Sequence, residues 1–141
     1  MKIAVASDHA GFELKEKLKK ALAKAGHLAA DFGAFSADSC DYPDFAKAAA
    51  RAVSQKKYSR AVLVCGTGQG MAMAANKFKG VRAAVCESLS CARMSRAHND
   101  SNILCLGSRV LDGKKALRIL KEWLKTGFEG GRHLRRVKKI G

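Results

Sequence analysis

Ten residues, Val62-Leu63-Val64-Cys65-Gly66-Thr67-Gly68-Gln69-Gly70-Met71, restrict the chain more than any other stretch: an apolar run that breaks into three glycines spaced two apart. Ala61 to Val64 has the length and β-branching of a buried strand, and Met71 to Lys77 has helix-forming composition. The segment reads as a strand, a tight turn and a helix start. Gly66, Gly68 and Gly70 let the backbone take positive φ and let a ligand approach the main chain, while the first helical N–H groups stay free for an anion. Cys65 falls at the strand's carboxyl end beside those donors, which favour negative charge there.

For an isolated Gly-x-Gly, a plain glycine turn with a buried cysteine would be the better account. Two phosphate motifs can be tested directly. A P-loop requires Lys-Ser/Thr after its second spaced glycine, and Gly70 is followed by Met71-Ala72. The dinucleotide fingerprint requires Gly or Ala where Met71 stands, although Glu87 lies about 20 residues on, where a ribose-binding acid belongs. Nicotinamide binding is therefore disfavoured.

The 141 residues, 48% hydrophobic, suit one domain spanning 1–141. Neither a linker nor an internal repeat is visible. The N-terminus turns polar at Ser7-Asp8 after a few apolar residues, which is neither a signal peptide nor a membrane span and points to a cytosolic protein without a membrane partner. The five cysteines (Cys40, Cys65, Cys86, Cys91, Cys105) form no Cys-x-x-Cys pair and read as free thiols in a reducing compartment. His9, His27, His98 and His133 lie far apart in sequence, so no metal site is expected. A net charge of +15 calls for an anionic partner: nucleic acid, an acidic membrane surface or a phosphorylated substrate. Lys15, Lys17, Lys19, Lys20 and Lys24 are expected on the solvated face of one helix.

In chain order, Lys2–Ala6 reads as a strand, the segment through Ala25 as a helix stopped by Gly26, and 27–32 as a weaker strand. A polar loop ends at Asp41-Tyr42-Pro43, and Asp44–Val53 is an alanine-rich helix. After the glycine turn come a strand over 81–86, a helix over 88–98, a strand over 103–106 and a helix over 114–125. Five strands alternating with helices imply parallel pairing through right-handed crossovers, hence an α/β fold: a three-layer α/β/α sandwich on a five-stranded parallel sheet, Rossmann-like. Asp8-His9, Cys65–Gly70 and Glu87 would then face one crevice at the strand ends. The tail 128–141 is basic, and Arg132 and Arg136 would share a helix face able to grip one phosphate. A solvated or disordered tail fits its composition equally well.

The chain resembles the type B ribose-5-phosphate isomerases and their relatives acting on allose 6-phosphate and galactose 6-phosphate. The resemblance runs nearly end to end, through Ser7-Asp8-His9-Ala10-Gly11-Phe12, Asp41-Tyr42-Pro43, Cys65 to Met71, Ala74-Ala75-Asn76-Lys77, Ser95 to Asp100, Gly107-Ser108-Arg109-Val110 and Glu129 to His133. It implies aldose–ketose isomerisation of a sugar phosphate without metal or organic cofactor. It also implies a homodimer, or a tetramer of two dimers, whose sites take residues from both subunits. Asp8 and the partner's His98 would open the sugar ring, Cys65 would move a proton between C2 and C1, and the turn Gly66, Thr67, Gly68, Gly70 would stabilise the enediolate. Tyr42 and Asn99 would meet the sugar. The phosphate would be held by His9, Arg132 and Arg136, with Arg109 from the neighbour.

Taken singly, Asp8 reads as a helix cap, His98 as a helix-end residue and Arg109 as a surface ion-pair partner; only their joint placement speaks for chemistry. Leu89 departs from the aromatic residue many relatives carry, Cys86 and Cys91 are additional thiols, and the charge exceeds what the resemblance accounts for. The expected reaction is ribose 5-phosphate to ribulose 5-phosphate. The alternatives are a hexose 6-phosphate isomerase and a non-catalytic anion or nucleic-acid binder, the latter disfavoured because a phosphate binder needs none of Cys65, Asp8 and His98.

Overall fold

A computed structural model describes residues 1–141. The elements run β1 (Lys2–Ser7), α1 (Phe12–Lys24), β2 (Leu28–Asp31), α2 (Tyr42–Ser54), β3 (Arg60–Cys65), α3 (Gln69–Ala75), β4 (Ala83–Val85), α4 (Leu89–Ala97), β5 (Ile103–Gly107), α5 (Gly113–Lys125) and α6 (Arg132–Ile140). Local chemistry explains several boundaries. Ser88 caps α4 by accepting the Cys91 N–H (3.0 Å), and Asp112 caps α5 by accepting that of Lys115 (2.8 Å). Pro43 stands in the first turn of α2, where its missing N–H costs nothing.

The five strands are all parallel, in the order β2-β1-β3-β5-β4. Alternate residues of the central strands feed two separate cores. Ile3, Val5, Val62, Val64, Leu104 and Leu106 pack under α1, α4 and α5; Ala4, Ala6, Ala61, Leu63, Ile103 and Cys105 pack under α2 and α3. Helices on one face thus serve the crossovers that step one way along the sheet, and helices on the other face serve those stepping back, as right-handed connections require. The neighbouring strands β1 and β3 send their following helices to opposite faces. A crevice opens at their carboxyl ends, the place where open α/β sheets bind ligands. No helix is long and apolar enough to cross a membrane.

Of the two readings left open for the basic tail, the helix holds: it forms α6, with His133 and Val137 buried beneath it. Two expectations need correction. β4 is only three residues long and lies at the sheet edge, so β5 separates Glu87 from the crevice that it was expected to line. Lys15 does not ride the solvated face of α1. It is 1% exposed, its Nζ donates to Asp31 (2.8 Å) and to the Ala34 carbonyl, and Lys19 donates to the same carboxylate (2.8 Å). Burial alone would push the Asp31 carboxyl up, but the hydrogen bonds from Lys15 and Lys19 outweigh it and hold the group below the usual carboxylate range.

Candidate active site

Three loops converge at the crevice, and hydrogen bonds lock them together. The Asp8 N–H donates to the Val64 carbonyl (3.2 Å), so Asp8 stands beside the end of β3 and its cysteine. The Cys65 and Gly66 carbonyls accept from the N–H groups of Ser108 (2.8 Å) and Arg109 (3.0 Å), and the Ser108 hydroxyl donates to the Ala10 carbonyl (2.8 Å). Asp8 is buried and accepts the Gly11 N–H through Oδ1 (3.0 Å), leaving Oδ2 for a ligand. That bond orders the turn ahead of α1, whose N-cap is Gly11, and leaves Asp8 a candidate acid–base group.

Cys65 closes β3 with its sulfur accepting the Gly68 N–H at 3.1 Å. That contact depends on Gly68, which takes φ +81°, a left-handed value that side chains disfavour. Gly70 is needed for another reason: a Cβ there would overlap the Tyr42 ring, with Cζ at 2.6 Å. The ring of Tyr42 therefore lies across the turn. The N–H groups of Gly66, Thr67 and Gly70 bond to nothing within the chain and are available to an oxyanion. The Thr67 hydroxyl is exposed and accepts the Gln69 N–H (3.2 Å). His9 Nδ1 lies 3.2 Å from both the backbone N and O of Cys40, which fixes the ring and leaves Nε2 to serve a ligand. The Arg109 guanidinium lies over Gly66, its Nη1 3.2 Å from where a Cβ would be. Arg109 therefore stands on Cys65's own subunit, not across from it as the resemblance had suggested.

The remaining candidates are elsewhere. His98 caps the far end of α4, and the segment it begins returns to the amino ends of the strands, where the Asn102 carbonyl accepts the Ala61 N–H (3.0 Å). About 17 Å of β3 separates that edge from Cys65. Asn99 is exposed there and lines a cavity together with Ile140 at the end of α6, so α6, with Arg132 and Arg136 exposed, runs along the same edge. Within one chain the candidates form two half-sets at opposite edges of the sheet.

The second half-set is rigidly held by residues that the sequence did not single out. Arg96 is buried and donates to Asp100 (2.8 Å), to the Ser101 carbonyl (2.6 Å) and to the Thr126 carbonyl (3.1 Å). Trp123 donates to the Ser101 hydroxyl (2.8 Å). Asp100, with φ +47°, is pinned further by Arg82 (3.3 Å). The histidines, expected to lie apart, do not all do so. His98 and His133 stack with ring centroids 4.3 Å apart, and His98 Nε2 lies 3.4 Å from Glu129. Burial, together with the charges of His98 and Arg132, pushes His133 below the ordinary histidine range. Two other thiols are locked in the acid form: burial raises Cys105 well above the ordinary value and, with Cys91 alongside, pushes Cys86 up to about 12.

This arrangement can be set beside known proteins. The family model described as Ribose/Galactose Isomerase matches residues 3–140. Ribose-5-phosphate isomerase B of Escherichia coli is 44% identical over 139 residues, covering 99% of this chain and 93% of that one. The structure of ribose-5-phosphate isomerase B from Clostridium thermocellum superposes with a TM-score of 0.99 at 50% identity, covering 100% of this chain and 95% of that one. The Mycoplasma genitalium enzyme, solved with bound ribulose-5-phosphate, gives a TM-score of 0.95 at 41% identity, covering 99% and 93%. With a five-stranded parallel sheet and a cysteine–glycine turn at its β1/β3 crevice, this chain belongs to the ribose/galactose isomerase family.

Proposed function

We propose that this protein interconverts ribose 5-phosphate and ribulose 5-phosphate at sites built from two copies of the chain. The observation that carries the shared site is the split of the candidates. Cys65, Asp8, His9, Tyr42, Thr67 and Arg109 surround the crevice, whereas His98, Asn99, Arg132 and Arg136 stand at the opposite sheet edge. A two-fold pair that sets the crevice of one copy against the His98 edge of the other completes two identical sites.

In each site the partner's His98 and the resident Asp8 exchange protons with the anomeric hydroxyl and ring oxygen, opening the furanose to the aldehyde. The Cys65 thiolate then removes the C2 proton. The aldehyde oxygen becomes an oxyanion held by the N–H groups of Gly66, Thr67 and Gly70, which no acceptor within the chain occupies. Return of the proton to C1, with transfer of the O2 hydroxyl proton to O1, yields the ketose. The phosphate lies between His9 and Arg109 of one copy and Arg132 and Arg136 of the other, as charge-assisted recognition of a dianion requires. Asn99 and Tyr42 bind sugar hydroxyls.

The names of the E. coli, C. thermocellum and M. genitalium relatives favour the pentose. The test is turnover of ribose 5-phosphate beside allose 6-phosphate and galactose 6-phosphate, in buffer containing a chelator. The expected result is pentose turnover exceeding that of either hexose by at least ~10-fold, a pocket being able to discriminate one carbon by that much. Preferred turnover of a hexose would transfer the assignment to that sugar, and turnover of none would remove the isomerase reading.

A further inference from the structure

The His98, Glu129, His133 cluster goes beyond the isomerase reading. We propose that these three side chains form a binding site for a divalent transition metal such as Zn2+. One ligand atom from each lies within 4.8 Å of the others. Two imidazoles and one carboxylate are the donor set typical of three-ligand zinc centres, which leave a fourth position for water. A second observation points the same way: His133 is 93% buried and its Nε2 bonds to nothing.

Bonds of 2.0–2.1 Å at tetrahedral angles place donors about 3.3 Å apart, so the cluster must contract. Because the His98 and His133 rings stack nearly parallel, His98 must also turn out of that stack for its lone pair to reach the same ion. Glu129 is exposed and is followed by Gly130 and Gly131, both at positive φ, while His98 is half-exposed. His133 is the anchored ligand toward which the other two close. Glu129 supplies the only negative charge among the three, and Arg132 and Arg136 alongside oppose a cation, which weakens the affinity. On the shared-site reading, His98 bound to a metal cannot exchange protons with the sugar, so the metal inhibits. Inhibition rests on that reading; metal binding does not.

The experiment titrates the full-length, metal-stripped protein with Zn2+ by calorimetry and with Co2+ by absorption, and separately measures inhibition of ribose 5-phosphate turnover. The expected result is one Zn2+ per chain, and Co2+ ligand-field bands without the thiolate charge-transfer band that the cysteines would give. Glu129→Gln and His133→Asn each weaken binding by more than ~10-fold, the loss that removal of even an outer-shell partner brings. Glu129 is exposed, so its variant remains folded and informative if His133→Asn does not. No saturable binding, a thiolate band, or binding undiminished in Glu129→Gln would overturn the site. Binding that depends on both residues but leaves turnover untouched would keep the site and count against His98 in ring opening.

Discussion

Replacing Cys65 with alanine lowers kcat for ribose 5-phosphate by about 10²- to 10⁴-fold and leaves KM within a few-fold of its starting value. The expectation follows from what the sulfur does and what it leaves to others. Proton transfer between C2 and C1 is assigned to this atom alone, whereas phosphate and hydroxyl binding belong to residues that the substitution does not touch. Neither of the other buried thiols can substitute: Cys105 is fully buried, Cys86 is held in the acid form, and both lie in the sheet packing. Removing the sulfur also frees the Gly68 N–H, but the turn is held independently through Ser108 and Arg109, so the fold persists. Steady-state kinetics decide the matter: near-normal kcat would remove Cys65 from the chemistry, and a rise in KM with kcat unchanged would make it a binding residue.

Lys15→Met destabilises the protein by about 3 kcal/mol, the lower end of the cost of breaking a buried ion pair by removing one partner. Lys15 links α1 to the end of β2 and the loop after it, and its loss leaves the Ala34 carbonyl without its ammonium donor. Lys19 still pairs with Asp31, and the Asp31 side chain keeps 16% exposure, both of which moderate the effect. The pair also imposes a pH dependence. Because the folded state holds the Asp31 carboxyl below its ordinary range, its stabilisation is complete above that range and is lost as pH falls through the depressed value. Urea unfolding at fixed protein concentration should show a lower midpoint at unchanged slope, with less further loss on acidification than in the wild type. A shift below about 0.5 kcal/mol would mean that Lys15 is no more than a surface lysine.

Both Lys15 and the histidines show where sequence reading stops. Helical period placed Lys15 with Lys17, Lys19, Lys20 and Lys24, but it could not show that β2 brings Asp31 back against that flank of α1. The strands of the central sheet were legible because each is a short apolar run ending at polar or glycine residues. Their order was not, and order alone decides that Asp8 adjoins Cys65 while Glu87 does not. The glycine turn could be read as a ligand site from its spacing. That Gly68 serves the sulfur and Gly70 makes room for Tyr42 are contacts between distant segments. Composition left the tail undecided between helix and disorder. Burial of His133 and Val137 settles it, and only the folded chain brings His133 to His98.

The shared site is tested most directly by mixing two impaired variants, Cys65→Ala and His98→Asn, after unfolding and refolding them together. Each homodimer lacks one group at both sites. In the mixed dimer one site lacks both groups and the other, formed by the intact Cys65 of one copy and the intact His98 of the other, is complete. With random pairing, half the dimers are mixed and half of their sites are whole, so turnover of ribose 5-phosphate recovers to about a quarter of the wild-type value. Activity that remains at the average of the two variants would mean that Cys65 and His98 do not meet across an interface, and would contradict the account.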